Sequence, residues 1–163
     1  MANKDMPVGF APKGASLRMN AYVAGGVVYP GDAVTLDATG RVAAATASQA
    51  LCGIAGSYAS AAGVEVLVHD HPDQLFVAQG DEAEIDAQTD MNLNYNIVAT
   101  AGNATYKQSR MEIDSSTQAT TATLPIKVLG LEPRVDNALG AQARVICKIN
   151  NHQLAGGTGT DGI

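Results

Sequence analysis

The chain has no tryptophan, two phenylalanines and five tyrosines, so aromatic side chains make up only 4% of its 163 residues. Its core must be assembled from Val, Ile, Leu and Ala, with the rare large rings at privileged positions. Charge is scarce as well: charged side chains amount to 16%, with 10 basic against 16 acidic residues and a formal net charge of -6. No run of Lys or Arg occurs, which argues against a nucleic-acid partner, because phosphates require clustered cations. Two cysteines, Cys52 and Cys147, both sit in strand-like runs. They are expected as small buried hydrophobes and not as a bridge. Long hydrophobic runs are also missing. Val42 to Val64 carries no charge, but its only large aliphatics are Val42, Leu51, Ile54 and Val64, too little apolar surface for a membrane span. Asp5, Pro7 and Pro12 interrupt the N-terminus where a signal peptide would need an apolar core, so a product made in the cytoplasm is expected.

What the chain does have is turn chemistry. It contains 17 glycines and six prolines, and these punctuate about ten short strand-like runs with no amphipathic 3.6-residue period. Leu17–Ala24 reads as a strand. Val27-Val28-Tyr29 leads into Pro30-Gly31-Asp32, a turn where proline presets φ and glycine accepts positive φ. Val34–Leu36 and Arg41–Ala43 form a tight hairpin about Gly40. Ala44–Ala50 could open a short helix. Leu51–Tyr58, Tyr95–Ala101, the run through Tyr106, Met111 and Ile113, Leu124–Leu131 and Ala143–Ile149 are further strands. Thr117–Thr123 reads as a polar connection. The fold class is therefore all-β: a small β-barrel, β-tulip-like or sandwich modules with an extended N-terminal arm. The expected divisions are an arm over residues 1–16, a first β module over 17–80, a second over 81–154 and a flexible tail over 155–163. The acidic stretch 81–84 marks the boundary between modules.

The stretch with the densest signals is Val64–Gln79, read as a hairpin folded about His69-Asp70-His71-Pro72-Asp73. Pro72 stops the ladder, and Phe76 beyond it should seed a core. On a strand, His69 and His71 would project to one side about 6.5–7 Å apart, a spacing that metal sites use. His152 is a conceivable third ligand. These residue types also make ordinary turns, and neither the following Glu nor the second His of a cupin is present. No metal, no cofactor and no catalytic residue is predicted. Neither a nucleophile elbow nor a cysteine beside a histidine occurs, and Gly156-Gly157-Thr158-Gly159 lacks the lysine of a phosphate loop.

Several pieces, in this order, resemble the capsid decoration, or head cement, proteins of tailed bacteriophages. They are the Pro-Gly-rich arm ending near Phe10, the Pro30–Val34 hairpin with Gly40, the Asp70–Asp73 corner followed by Leu75-Phe76-Val77, Pro125–Leu131, Asp136-Asn137, and Ile149–Leu154. Together they span about residues 5 to 155. The resemblance implies a structural virion protein on the outer surface of the capsid, partnered by the major capsid protein at threefold or quasi-threefold positions. It also implies a homotrimer, with a dimer as the alternative, and the arm as an attachment, with Phe10, Pro12 and Arg18 as capsid contacts. An acidic protein suits the outside of a DNA-filled shell. Two other readings stand beside it: another virion surface, tail or glycan-binding β module, which tyrosines lining a groove would favour, and a metal-dependent small-barrel enzyme using His69 and His71.

Overall fold

The computed structural model describes residues 3–82, 85–156 and 159–163. Its eleven strands are β1 (Ala11–Pro12), β2 (Met19–Ala24), β3 (Ala33–Leu36), β4 (Arg41–Ala44), β5 (Gly53–Ala55), β6 (Glu65–His69), β7 (Leu75–Gln79), β8 (Asn94–Val98), β9 (Glu112–Ala119), β10 (Ile126–Leu131) and β11 (Arg144–Ile149). The one helical element among the described residues is a 3-10 turn at Gln88–Asp90. The protein is all-β.

The first half closes into a five-stranded barrel in the order β2-β4-β3-β5-β6. All its pairings are antiparallel except β2 with β4. A barrel this narrow has room for small side chains only, and its interior is Ala24, Val28, Val34, Val42, Cys52, Ala55, Ala59, Val66 and Val68. The alanine and valine content of the sequence is thus a packing requirement. The Pro30-Gly31 turn forms as expected, with Gly31 at φ +93 and the Asp32 N–H donating to Tyr29 O at 3.0 Å.

The second half is a six-stranded sheet, β1-β7-β11-β10-β8-β9, antiparallel at every pairing. It curls, so that Gly80 at the end of β7 bridges Ile113 on β9. The period of two predicted for the last strand holds: Val145, Cys147 and Ile149 are buried while Arg144, Ile146 and Lys148 are only partly so. They join Phe76, Ala78, Tyr95, Ile97, Ile113, Ile126 and Val128 in the main core. That core also takes Ala33, Ala45, Leu51 and Ile54 from the outer side of the barrel, and Phe10 from the arm. The two halves therefore share one hydrophobic interior.

Several expectations change. β6 and β7 do not form a hairpin, because Val66 and Val68 fill the barrel while Phe76 and Ala78 fill the other core. The division between sheets falls in the link 70–74, not at residue 80. Of the acidic stretch, Ala83 and Glu84 lie outside the described residues. Ala44–Ala50 contains no helix, and β9 runs on to Ala119 through part of the polar tract. The last residues dock: Gly162 N–H donates to Thr120 O at 2.9 Å and Ile163 N–H to Asn92 O at 3.1 Å; Gly157 and Thr158 of the expected tail lie outside the described residues.

The largest correction concerns the arm. It is a strap across the seam between the two halves. Asn3 bonds Ala138 and Ala141, Met6 N–H donates to Gln79 Oε1, Phe10 N–H donates to Gly31 O, and β1 pairs with Phe76 and Val77. Gly9 has φ +74 and packs so tightly on Gly31 O and Ser109 that a Cβ would collide with both. Prolines and glycines bar regular structure here, but they leave the backbone free to follow the seam.

Candidate functional site

Two features stand out: a buried polar cluster at one end of the barrel and an exposed apolar face beside it. Both are made by the same strand. Side chains alternate along a strand, so Arg18, Asn20 and Tyr22 fall on one side of the β2 segment and Leu17, Met19, Ala21 and Val23 on the other. The polar set converges on Asp70, which is fully buried. Arg18 Nε donates to Asp70 Oδ1 at 2.7 Å and Nη2 to Asp70 O at 3.0 Å. Asn20 Nδ2 and Tyr22 Oη donate to Oδ2 at 2.8 and 2.6 Å. Burial alone would push the Asp70 carboxyl up, but the hydrogen bonds from Tyr22, Arg18 and Asn20 outweigh it and hold the group below the usual carboxylate range. The Tyr22 hydroxyl is pushed well up by its own burial and by the hydrogen bond it donates to Asp70. An ionised carboxylate whose two oxygens accept three such bonds is a holding group, tying β2 to the chain just after β6.

The opposite side of the segment is apolar and faces solvent. Leu17, Met19 and Val23 are 56, 40 and 44% exposed, and Leu67, on β6 opposite Ala21, is 39% exposed. Strands at a barrel surface normally turn polar residues outward. Here an apolar side faces solvent, while Arg18 and Asn20, themselves exposed, turn their polar groups to Asp70. The signal was present in the sequence as the alternation L-R-M-N-A-Y-V, legible only once the inner side of the strand is known.

The histidines do not assemble. β6 ends at His69, so His71 lies beyond the strand and the pair loses its common side. His69 Nδ1 is 2.9 Å from Ser16 Oγ, and its ring meets Phe76 edge-on at 6.4 Å. Burial lowers its proton affinity. His71 Nδ1 accepts from Asp73 N–H at 3.1 Å. His152 is buried, its Nδ1 accepting from Leu154 N–H at 3.1 Å, and burial lowers its proton affinity too. Among the described residues no group of three or more His, Cys, Asp and Glu is gathered in a metal-holding arrangement. Cys52 and Cys147 are free and buried, each thiol pushed up by burial.

Of the three predicted contacts, Phe10 is 2% exposed in the shared core and is withdrawn as a surface contact. It packs in the same core as Phe76 and Tyr95. Arg18 is partly exposed but its guanidinium is committed to Asp70. Pro12 is exposed, on the outer edge beside β7. A further feature went unremarked: the loop between β8 and β9 crosses to the barrel, where Ser109 N–H donates to Pro30 O and Gln108 Nε2 to Val8 O. Tyr106, 79% exposed, lines a groove there with Pro7, Val8, Asn103, Gln108 and Arg110. Nearby, Tyr29 and Tyr58 pack at 5.5 Å, with Lys107 Nζ 5.1 Å from the Tyr58 ring.

No family model, no curated protein and no solved structure matches the chain.

Proposed function

We propose that the chain is a structural virion protein that binds the outer surface of a tailed-phage capsid at threefold or quasi-threefold positions as a homotrimer, with the major capsid protein as its partner. The observation that carries this reading is the β2 segment, whose apolar side chains Leu17, Met19 and Val23 face solvent while its polar ones, Arg18, Asn20 and Tyr22, are engaged by Asp70. Contiguous exposed apolar surface marks a contact site. Full burial of a large aliphatic side chain is worth about 1.5–3 kcal/mol, so covering these half-exposed ones yields about 1 kcal/mol each, multiplied across the chains of an oligomer. Matching threefold symmetry lets every chain offer the shell the same surface.

The test is sedimentation of the purified protein with expanded heads of the phage that encodes it, stripped of decoration. Wild-type protein should co-sediment at a multiple of three copies per site, and Leu17→Asp with Met19→Asp should lower occupancy at least tenfold without unfolding the chain. Failure of the wild type to bind at micromolar concentration overturns the reading; binding by the double variant moves the contact elsewhere. A second reading, a glycan-binding virion module, is favoured by the groove at Tyr106, since aromatic faces beside polar side chains suit sugar rings. Loss of oligosaccharide binding in Tyr106→Ala would support it.

A further inference from the structure

The strap is held by an unusual fastening near its start. Gln79, on β7 and nearly fully buried, presents its amide to three groups. Its Oε1 accepts from Met6 N–H at 2.9 Å, and its Nε2 donates to Asp5 Oδ1 at 2.9 Å and to Glu112 Oε1 at 3.3 Å. One amide thus draws a carboxylate of the strap and a carboxylate of β9 to the same nitrogen. The neighbours make this arrangement costly when both acids are ionised. From the segment after β7, Asp81 and Glu82 add negative charge near Glu112. From β8, the residue opposite Glu112 is Val98, which carries none; from β11, Arg144 stands opposite Gln79, and Lys4 precedes Asp5 on the strap, two cations of this neighbourhood. On β9 itself, Asp114 follows at the same parity. Arg110, just before the strand, gives its Nε to Ala101 O at 2.9 Å. None of the four ion pairs among the described residues involves Asp5 or Glu112.

We propose that Glu112 and Asp5 form a proton-operated latch on the strap, closed while Glu112 holds a proton and loosened when Glu112 ionises. Partial burial, then the charges of Asp5, Asp81 and Glu82, raise the Glu112 carboxyl to about 7. The latch therefore works near neutrality. Its proton leaves to solvent, and the carboxylate left behind repels Asp5, which frees Met6 from Gln79. The released stretch is bounded by Asn3, tied to Ala138 and Ala141, and by Phe10, anchored in the core. It carries Met6 and Val8, both already exposed, and loosening would bare Gln79 beneath them.

The sign follows from linkage. A carboxyl raised in the closed state leaves that state fully favoured only below its open-state value, about 4.3, and the advantage is lost as pH rises from there to about 7, with no further change above. One unit of difference between closed and open states corresponds to about a tenfold change in the opening equilibrium. The test is hydrogen exchange at the Met6 amide of the full chain, corrected for intrinsic exchange, from pH 5.5 to 8.5. Protection should fall at least tenfold between pH 5.5 and about 7 and level off above, while the Phe10 amide, bonded to Gly31 O, stays protected. Glu112→Gln, which mimics the protonated acid, should hold Met6 at its acid-side protection throughout. Flat protection in the wild type, the same slope in Glu112→Gln, or a parallel loss at Phe10 overturns the latch. Should the variant not fold, the carboxyl carbon shift of Glu112 in the wild type decides: a midpoint near 7 supports the proposal and one near about 4.3 ends it.

Discussion

Phe10→Ala puts a number on the strap. The ring sits 2% exposed in the core shared by the two halves, next to a glycine too crowded to accept any side chain. Removing it loses the transfer term of a large apolar side chain, about 1.5–3 kcal/mol. A residual cavity of about 50 Å³ adds about 1.2 kcal/mol at roughly 24 cal/mol per Å³. The expected loss is about 3–4 kcal/mol. For a chain of this size each kcal/mol moves Tm by about 2–4 °C, so a drop of about 6–16 °C is expected. Urea unfolding followed by circular dichroism should show a lower midpoint with the slope unchanged. Val8→Ala, two residues earlier but 40% exposed, serves as the control and should stay within about 0.5 kcal/mol. A Phe10→Ala loss below about 1 kcal/mol would mean that the strap is laid over a core complete without it, and the reasoning would fail.

Two other outcomes follow from the polar groups. Asp70→Ala should cost about 2–4 kcal/mol, since it abandons charge-assisted bonds from Arg18, Asn20 and Tyr22; because the folded Asp70 carboxyl lies below its unfolded value, its contribution is present above about pH 4 and is lost as pH falls through the folded value, so the variant should lose the wild type's steepest acid transition. His69→Ala should cost about 1–2 kcal/mol, unlike His71→Ala, which should stay near about 0.5 kcal/mol; with His69 and His152 both lowered by burial, stability should fall as pH drops below about 6.5, and a melting profile of the Glu112→Gln variant, both histidines intact, that is flat between pH 7 and 5 would contradict it.

What the sequence disclosed and what it hid divide along a physical line. Local chemistry was legible: the turn at Pro30-Gly31, the hairpin about Gly40, the alternation of Val145, Cys147 and Ile149, and the burial of Phe76 all depend on a few adjacent residues. Partnership was not. Val64–Gln79 has the pattern of a hairpin, yet its two strands belong to different sheets, because strand periodicity says which side chains share a face and nothing about which sheet receives it. The strap was misjudged for a related reason: proline and glycine exclude regular structure, and that says nothing about whether the backbone is tied down. Phe10 itself carried the signal, since a chain with two phenylalanines has reason to bury both.

The Asp70 cluster then has a role beyond its own bonds. Met19, Ala21 and Val23 make the outward side of β2 apolar, so hydrophobic burial alone does not set its register: a slip of one residue would turn those side chains inward, a change that burial favours. The same slip would turn Asn20 and Tyr22 away from Asp70 and leave its carboxylate buried without their bonds, which costs several kcal/mol. Arg18, Asn20 and Tyr22 can reach Asp70 together only in the observed register, with Asn20 opposite Val68 and Tyr22 opposite Val66. A buried carboxylate at the point where the chain leaves the barrel thus holds β2 with its apolar face in water, where that face is available to a partner.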